Sequence, residues 1–493
     1  MIMDYFLLPA SPVLSLVVFA LLVIVAETIL GEGRGKTFKL FLALLGPVCA
    51  VLAVSFIHQN FGELGLGTTL PSEAPTWLAE FSKTYHLDQL SLSFFIAISF
   101  FALLSLVFVE SFASDFSEKS ELFSLMLFVA AGMMLLVSAH SLLMVFMGLE
   151  LMSLPTYILV GMRKNDLRSS EAALKYFLYG SFATVLLVLA IALLYGSFGT
   201  LQISQITGIL KSQLQTGASG PSVALLCSLG LLLVSIGFKV GLAPFHHWVP
   251  DTYQGAPTPI TGFMGSAIKL AGFGLALRIF GEMLAPLVIQ YRDLLGAVAI
   301  LTMFVGNLAA LRQNDLKRLF AYSSISHAGY LFLGIAALGT EKSSFAPIHY
   351  YLIVYGLMFL GAFGILALVE SHRKSLDINR LNGLGFEKPL LGFCLLVFVL
   401  SAAGIPPTAG FIAKYFIFLE VAAQGKMVWV VLGVLSSLVG VYYYLRVIAH
   451  LYMKSPLSPE VAISNTSKAA LMGIVACVLG VIYLSLRPSI FGF

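Results

Sequence analysis

The sequence predicts an all-α, polytopic membrane protein of about fourteen transmembrane helices. Three observations carry that prediction. The first is composition: of 493 residues, 59% are hydrophobic and only 11% charged. Soluble domains carry about 25% charged residues, so too little polar surface is left to cover a water-soluble globule of this size. The second is that apolar runs of about 20 residues, the length a helix needs to cross a bilayer, recur along the whole chain. The third is that two runs, 222–254 and 389–422, are too long for one crossing and hold helix breakers near their middle.

The first segment, 11–30, has Asp4 and no Lys or Arg before it, so it reads as a membrane helix and not as a signal peptide. Further segments are expected at 38–58, 87–109, 121–139, 141–161, 171–196, 222–254, 258–281, 290–311, 317–338, 346–370, 389–422, 427–453 and 467–486. Segment seven is interrupted by Gly237, Gly241 and Pro244, and segment twelve by "GIPPTAG", Gly404–Gly410. Proline removes a backbone donor and clashes with the preceding turn. Such a break survives in a bilayer only where protein or water satisfies the freed backbone groups.

The two broken segments lie five apart. Segments 4–8 (residues 116–282) and 9–13 (283–455) then form two five-helix units, flanked by an N-terminal three-helix segment (1–115) and a last helix within 456–493. An odd number of helices per unit inverts the second relative to the first. Inverted repeats with paired discontinuous helices are a transporter architecture.

The connections after segments 1, 5, 9, 11 and 13 hold cation clusters, among them Arg34, Lys36 and Lys39, Arg163, Lys164 and Arg168, and Arg312, Lys317 and Arg318. The opposite connections hold scattered cations, Lys83, Lys211, Lys342 and Lys426, and the longest is acidic, with Glu63, Glu73 and Glu80. The positive-inside rule then places both termini on the outer side. The connection "ESFASDFSEKSE" runs against the rule, but acidic residues weigh little in it.

Several function classes lose support. Net charge is only +4, with no basic arm or nucleic-acid motif. Cys49, Cys227, Cys394 and Cys477 sit in apolar runs without metal-ligand spacing and read as small core residues. "GEGRG" at Gly31 lacks the strand and lysine of a phosphate cradle. No soluble domain is large enough for a nucleotide, flavin or metal cluster.

Five ionisable residues stand inside apolar segments: Glu150, Lys175, Lys239, Lys269 and Lys414, of which Lys175 is the shallowest. A charge at a helix centre costs about 2.5–3.5 kcal/mol on insertion scales. One glutamate cannot neutralise four lysines, so packing by ion pairs does not explain the set. Desolvation disfavours a charged amine and a nearby carboxylate favours it. An amine between these influences changes protonation when its partner moves, which arginine cannot do. His246 and His247 follow the first break, either as interfacial residues or as a relay. Segment ten is polar for a membrane helix: Tyr322, Ser323, Ser324, Ser326, His327 and Tyr330 either line a hydrated path or bond neighbouring helices, with His327 favouring the path. Glu27 reads as an interfacial residue, and Tyr442, Tyr443, Tyr444 and Arg446 as packing and snorkelling.

These residues carry a resemblance. "SIGFKVGLAPFHHWVPDTYQGAPTPITGF" followed by "AIKLAGF" resembles the core of the antiporter-like membrane subunits of complex I, which are related to Mrp-type cation/proton antiporters. "GLELMSLPTYILVG", "EAALKYFLYGSFAT", "DLKRLFAYSSISHAGY" and "GIPPTAGFIAKYFIF" extend the resemblance over about residues 120–450. The family's intramembrane Glu of segment five, its Lys of segments six, seven and eight and its Lys or Glu of segment twelve correspond to Glu150, Lys175, Lys239, Lys269 and Lys414, and its loop histidine to His246. Among the family's L, M and N types the chain is most similar to N: L is longer, and M usually carries Glu where Lys414 stands.

The resemblance implies a proton-translocating membrane subunit of an NADH:quinone oxidoreductase in a cell membrane. It implies no redox chemistry, cofactor or metal on this chain. NADH, FMN, iron–sulfur clusters and quinone would belong to partner subunits, and the neighbours would be the M type and small K, J and A types. Glu150 would act as electrostatic switch, with Lys175 pairing with it or tuning it, Lys239 as central proton carrier, Lys269 as connector and Lys414 as outlet residue. His246 and His327 are relay candidates. A self-driven sodium/proton antiporter subunit and a passive scaffold are the alternative readings.

Overall fold

The computed structural model describes residues 2–31, 34–61, 84–85, 87–112, 119–216, 222–338, 344–457, 463 and 467–491. Among them there is no β-strand, only isolated bridges such as Ser141–Gln202 and Asp315–Asp377 that tie loops together. Glu63, Glu73, Glu80, Lys83 and Lys342, and residues 113–118 of "ESFASDFSEKSE", lie outside the described residues, as do Glu32 and Gly33 of the "GEGRG" loop.

The helices are α1 Ile2–Leu30, α2 Lys36–Phe61, α3 Gln89–Ser111, α4 Lys119–Val137, α5 Leu142–Val160, α6 Leu167–Phe198 and α7 Ile203–Gln215. They continue with α8 Val223–Val240, α9 Trp248–Gly255, α10 Thr258–Met283, α11 Val288–Ala310, α12 Leu316–Ala337 and α13 Ala346–Arg373. The last are α14 Pro389–Ala403, α15 Ala409–Ala423, α16 Met427–Tyr452 and α17 Lys468–Leu486. Among the described residues, 13 helices are long and apolar enough to cross a membrane. The remaining expected crossing is the pair α14 and α15, each 15 residues, which together supply one span in two halves.

Side-chain caps set several starts: Asp88, Ser141, Asp166, Ser222 and Asp315 each accept a hydrogen bond from a backbone N–H of the first turn. The α10 window is wholly buried, whereas only 28% of the α6 and α16 windows is. Thus α10, with α12 and α13, forms the centre, and α1, α6 and α16 present Leu21, Phe182 and Leu438 outward, as a lipid-facing periphery requires.

Both breaks have one form. Helix α8 ends on Gly241 at φ 80°, ψ 41°, and α14 ends on Gly404 at φ 79°, ψ 43°. These left-handed conformations suit glycine, and they turn the next N–H groups back onto the helix's last carbonyls. Leu242 N donates to Gly237 O at 2.7 Å, and Ile405 N to Leu400 O at 3.2 Å. The first loop is pinned to α11 by Ala243 N donating to Thr302 Oγ1 at 3.0 Å. The second is pinned by Gly410 N donating to Ser401 Oγ at 3.0 Å.

Two features were not legible beforehand. Helix α7 lies where only a connection was expected. It is amphipathic, burying Ile203, Ile206 and Leu210 while Lys211 stays outside. Helix α10 contains two wide π-type stretches, Met264–Ile268 and Leu277–Met283, on either side of α-helical Lys269–Ala276. Such widenings recur at functional sites.

A Cβ on Gly410 would lie 1.8 Å from Ser401 O, whereas one on Gly196 meets nothing within 4 Å. Gly410→Ala is therefore expected to push the halves of the second broken helix apart and cost about 1–3 kcal/mol or more. Gly196→Ala is expected to be neutral or to stabilise by up to about 1 kcal/mol. Thermal unfolding of the two variants in detergent checks the contrast.

Candidate functional site

Lys239 lies in the last turn of α8, two residues before Gly241, and is 6% exposed. Its Nζ donates to Ser153 Oγ on α5 at 2.8 Å and lies 3.5 Å from Tyr176 Oη on α6. Ser153 in turn donates to Leu149 O at 2.6 Å, which directs its oxygen lone pairs to the amine. The Tyr176 ring stacks on Trp248 of α9 at 4.5 Å, and Trp248 Nε1 donates to Phe238 O at 2.8 Å. The second half of the broken helix thus closes over the amine, which sits at a helix C-terminus where positive charge is favoured.

Lys269 follows the first π-type stretch of α10. Its Nζ donates to Ser324 O and, at 2.6 Å, to Ser324 Oγ on α12, and lies 5.0 Å from the Tyr355 ring centre on α13. A cavity of about 10 Å³, measured by the travel of a water's centre, lies between Lys239 and Lys269, lined also by Trp248, Tyr253 and Ser324. That is close to the least space one water needs.

Lys414 stands on α15 but reaches back to the end of α14. It donates to Ala402 O at 3.2 Å, Ala403 O at 3.1 Å and Ser437 Oγ on α16 at 3.0 Å, with the Tyr330 ring centre 5.0 Å away. A Cβ on Gly404 would lie 3.1 Å from this Nζ, so the break glycine also makes room for the amine.

A polar seam joins the two latter lysines. His327 Nδ1 is 2.8 Å from Tyr351 Oη and its Nε2 3.1 Å from Tyr444 Oη, which also bonds Ser323 Oγ next to Ser324. Asn307 donates to Tyr330 Oη at 3.1 Å and to Ser436, and accepts from Tyr443 Oη at 3.0 Å. Tyr443 and Tyr444 are therefore members of this seam and not only packing residues, while Tyr442 faces outward. Ser326 donates to Ser323 O on its own helix at 2.8 Å and also meets Tyr443 of α16.

None of Lys239, Lys269 and Lys414 pairs with a carboxylate among the described residues. Hydrogen bonds involving a charged group contribute about 1.5–3 kcal/mol, and a desolvated ring face about 2 kcal/mol. Together these match the insertion cost of about 2.5–3.5 kcal/mol, so the amines are held without an acid.

The family described as "NADH:quinone oxidoreductase/Mrp antiporter, TM" matches residues 139–440, which span the three lysines and the rest of these side chains except Tyr443 and Tyr444. The chain belongs to this antiporter family. NADH-quinone oxidoreductase subunit N of Trichlorobacter lovleyi is 37% identical over 480 residues, 97% of this chain and 93% of that protein. A chain of respiratory complex I from Thermus thermophilus with bound aureothin superposes with a TM-score of 0.79 at 32% identity, covering 97% of each chain. A chain of the Mrp complex from Dietzia sp. superposes at 0.81 with 20% identity, over 98% and 95% of the chains, a likeness of fold.

Other antiporter-type residues lie apart from this line. Glu150, one turn before Ser153, accepts from Thr184 Oγ1 at 2.8 Å and is only partly buried. The expected Glu150–Lys175 pair is not formed. Lys175 is 39% exposed and binds Glu171 at 2.7 Å and Asp251 at 2.9 Å, in a hollow of about 290 Å³. The reason is spacing: Thr184, at the level of Glu150, is nine residues beyond Lys175, about 13 Å along a helix. The His246 ring lies tilted against His247 at 4.6 Å, and its buried Nδ1 has no hydrogen-bond partner. No hydrogen bond or ion pair joins it to the lysines.

Sequence reasoning missed several buried cations near the helix ends. Arg278, in the second π-type stretch of α10, is 1% exposed and binds Asp88 at 2.5 and 2.6 Å, Glu282 at 2.9 Å and Val137 O at 2.9 Å. Arg163 binds Glu370 at 3.0 and 3.2 Å, and buried Lys317 caps Gln254 O and Ala256 O while lying 4.0 Å from Glu370. Asp251 is shared between Lys175 and Arg318. Glu27 is no bare interfacial residue: buried Lys39 pairs with it at 2.5 Å. The available signal was a cation within a turn of an apolar window paired with an acid near another window's end.

Burial of Asp88 opposes its charge, but the Arg278 guanidinium overcomes this and, with Ser91, holds the carboxyl well below the usual carboxylate range. The lowered value means that its stabilisation is present above the unfolded-state pKa of about 3.9 and is lost as pH falls below it. Asp88→Asn is expected to lower the unfolding midpoint near neutral pH, at a cost of about 1.5–3 kcal/mol. The gap to the unsubstituted protein should shrink below about pH 4, as thermal melts across pH would read.

Proposed function

We propose that the chain is a proton-translocating membrane subunit of an NADH:quinone oxidoreductase, of the N type. The observation that carries this reading is the line Lys239–Lys269–Lys414: enclosed amines, not ion-paired with a carboxylate among the described residues, joined by hydroxyl and imidazole groups and one water-sized cavity. Such amines can hold a proton and give it up when a neighbouring charge changes. The similarity to proteins named NADH-quinone oxidoreductase subunit N along nearly the whole chain supports the assignment.

In this reading Lys239 is the central carrier, Lys269 the connector and Lys414 the outlet residue. His327 relays between the last two through Tyr444 and Ser323. Glu150 acts as the switch on Lys239 from one turn before Ser153, and its partial exposure lets it also answer a neighbouring subunit. Lys175, held by Glu171 and Asp251, guards the hollow beneath α9 and does not neutralise Glu150. His246 remains a relay candidate for a hydrated state of the first break. The equal caps of the breaks support two inverted units, 116–282 and 283–455, between the 1–115 segment and the helix within 456–493.

The partners would be the M-type antiporter-like subunit and the small K, J and A types, in a bacterial cytoplasmic membrane with both termini outside. Electron transfer from NADH through FMN and iron–sulfur clusters to quinone would take place on other subunits. Moving one proton against 100 mV costs about 2.3 kcal/mol, and that reaction would supply it.

Lys239→Ala in the assembled complex is expected to lower NADH-driven proton pumping several-fold while NADH oxidation by artificial acceptors persists. Lys239→Arg should fail likewise, because guanidinium does not release its proton. Undiminished pumping by either variant sinks the assignment.

A further inference from the structure

Each mid-membrane lysine sits by the ring of a buried tyrosine: Lys239 by Tyr176 at 5.8 Å, Lys269 by Tyr355 at 5.0 Å, and Lys414 by Tyr330 at 5.0 Å. We propose that Tyr355 and Tyr330 are positioning residues whose ring faces, not their hydroxyls, hold the ammonium forms of Lys269 and Lys414. The proposal rests on the proton-translocating reading above.

The hydroxyls are otherwise placed. Tyr355 Oη is buried without a hydrogen-bond partner, so its ring is what it offers Lys269. Tyr330 Oη accepts from Asn307 on α11, which fixes the ring where Lys414 meets it. Tyr176 differs: Lys239 Nζ lies 3.5 Å from its Oη and 5.8 Å from its ring centre, so the amine meets the hydroxyl end, and Trp248 at 4.5 Å and Tyr157 at 4.7 Å cover the ring. An aromatic face attracts a cation through its quadrupole, most strongly where water is excluded. Unlike a carboxylate it brings no charge, so it retains the ammonium without trapping the proton.

Lys414 gives the cleanest test. The titratable groups around it are Tyr330 and His327 on α12, with Tyr443 and Tyr444 on α16 behind them. Helix α14 contributes carbonyls alone, and on its own helix Glu420 lies six residues on. With the ring removed, the ammonium is lost at lower pH, so the alkaline limb of NADH-driven pumping moves down.

Pumping by the complex in inverted membrane vesicles is measured against pH for Tyr330→Leu, Tyr330→Phe and Lys414→Ala. Tyr330→Leu is expected to shift the alkaline limb down by about one pH unit. Tyr330→Phe keeps the ring but loses the bond to Asn307, and is expected to lower the rate without moving the limb. Equal shifts in both tyrosine variants overturn the proposal, because the hydroxyl then matters. No shift in Tyr330→Leu, with pumping lost in Lys414→Ala, overturns it while the functional reading stands. Full pumping by Lys414→Ala overturns both. Should Tyr330→Leu fail to assemble, Tyr355→Leu against Tyr355→Phe reads the same contrast at Lys269, and an unmoved limb there overturns the proposal.

Discussion

An ammonium group enclosed by membrane helices must be held by something, and what holds it decides whether its proton can leave. At Lys239, Lys269 and Lys414 the holders are serine hydroxyls, backbone carbonyls and tyrosine rings. All are neutral. They offset the cost of burying charge and leave the amine free to respond to a charge arriving nearby. The cations nearer the helix ends are treated differently: Arg278, Arg163, Arg373 and Lys39 each meet a carboxylate. Those pairs fasten helices together, whereas the central amines are left poised.

The rest of the architecture follows from supplying those neutral holders at depth. A break leaves carbonyls unpaired that an intact helix keeps bonded to its own N–H groups. Gly241 and Gly404 end their helices in the same left-handed turn, and the carbonyls thereby freed include the two that Lys414 uses. Lys269 instead takes Ser324 O and Oγ from the middle of uninterrupted α12, with a π-type stretch just before it on α10. Surrounding helices α1, α6 and α16 shield this interior with apolar faces.

Much of this was legible in the sequence. Apolar windows gave the helices to within a few residues, since bilayer thickness fixes their length. Gly241, Pro244 and "GIPPTAG" gave the breaks because few residue types tolerate those conformations, and Lys239, Lys269 and Lys414 stood out as charges inside apolar runs. Partners were not legible. Lys175 and Glu150 sit at different heights on adjacent helices, and the sequence does not give the relative heights. Arg278 lay too near the end of its window to count as buried, and Asn307, an uncharged residue, gave no signal at all. Helix α7 was missed because its apolar stripe is a single narrow face, below any hydropathy threshold for a membrane span.

The central claim is that protons pass along the amine line through Lys269, which stands between the two breaks. The most direct measurement is the number of protons pumped per NADH oxidised by the assembled complex carrying Lys269→Met, which keeps the side chain's bulk and removes its amine. The account predicts a lower proton-to-electron ratio with electron transfer to quinone continuing. An unchanged ratio would contradict it.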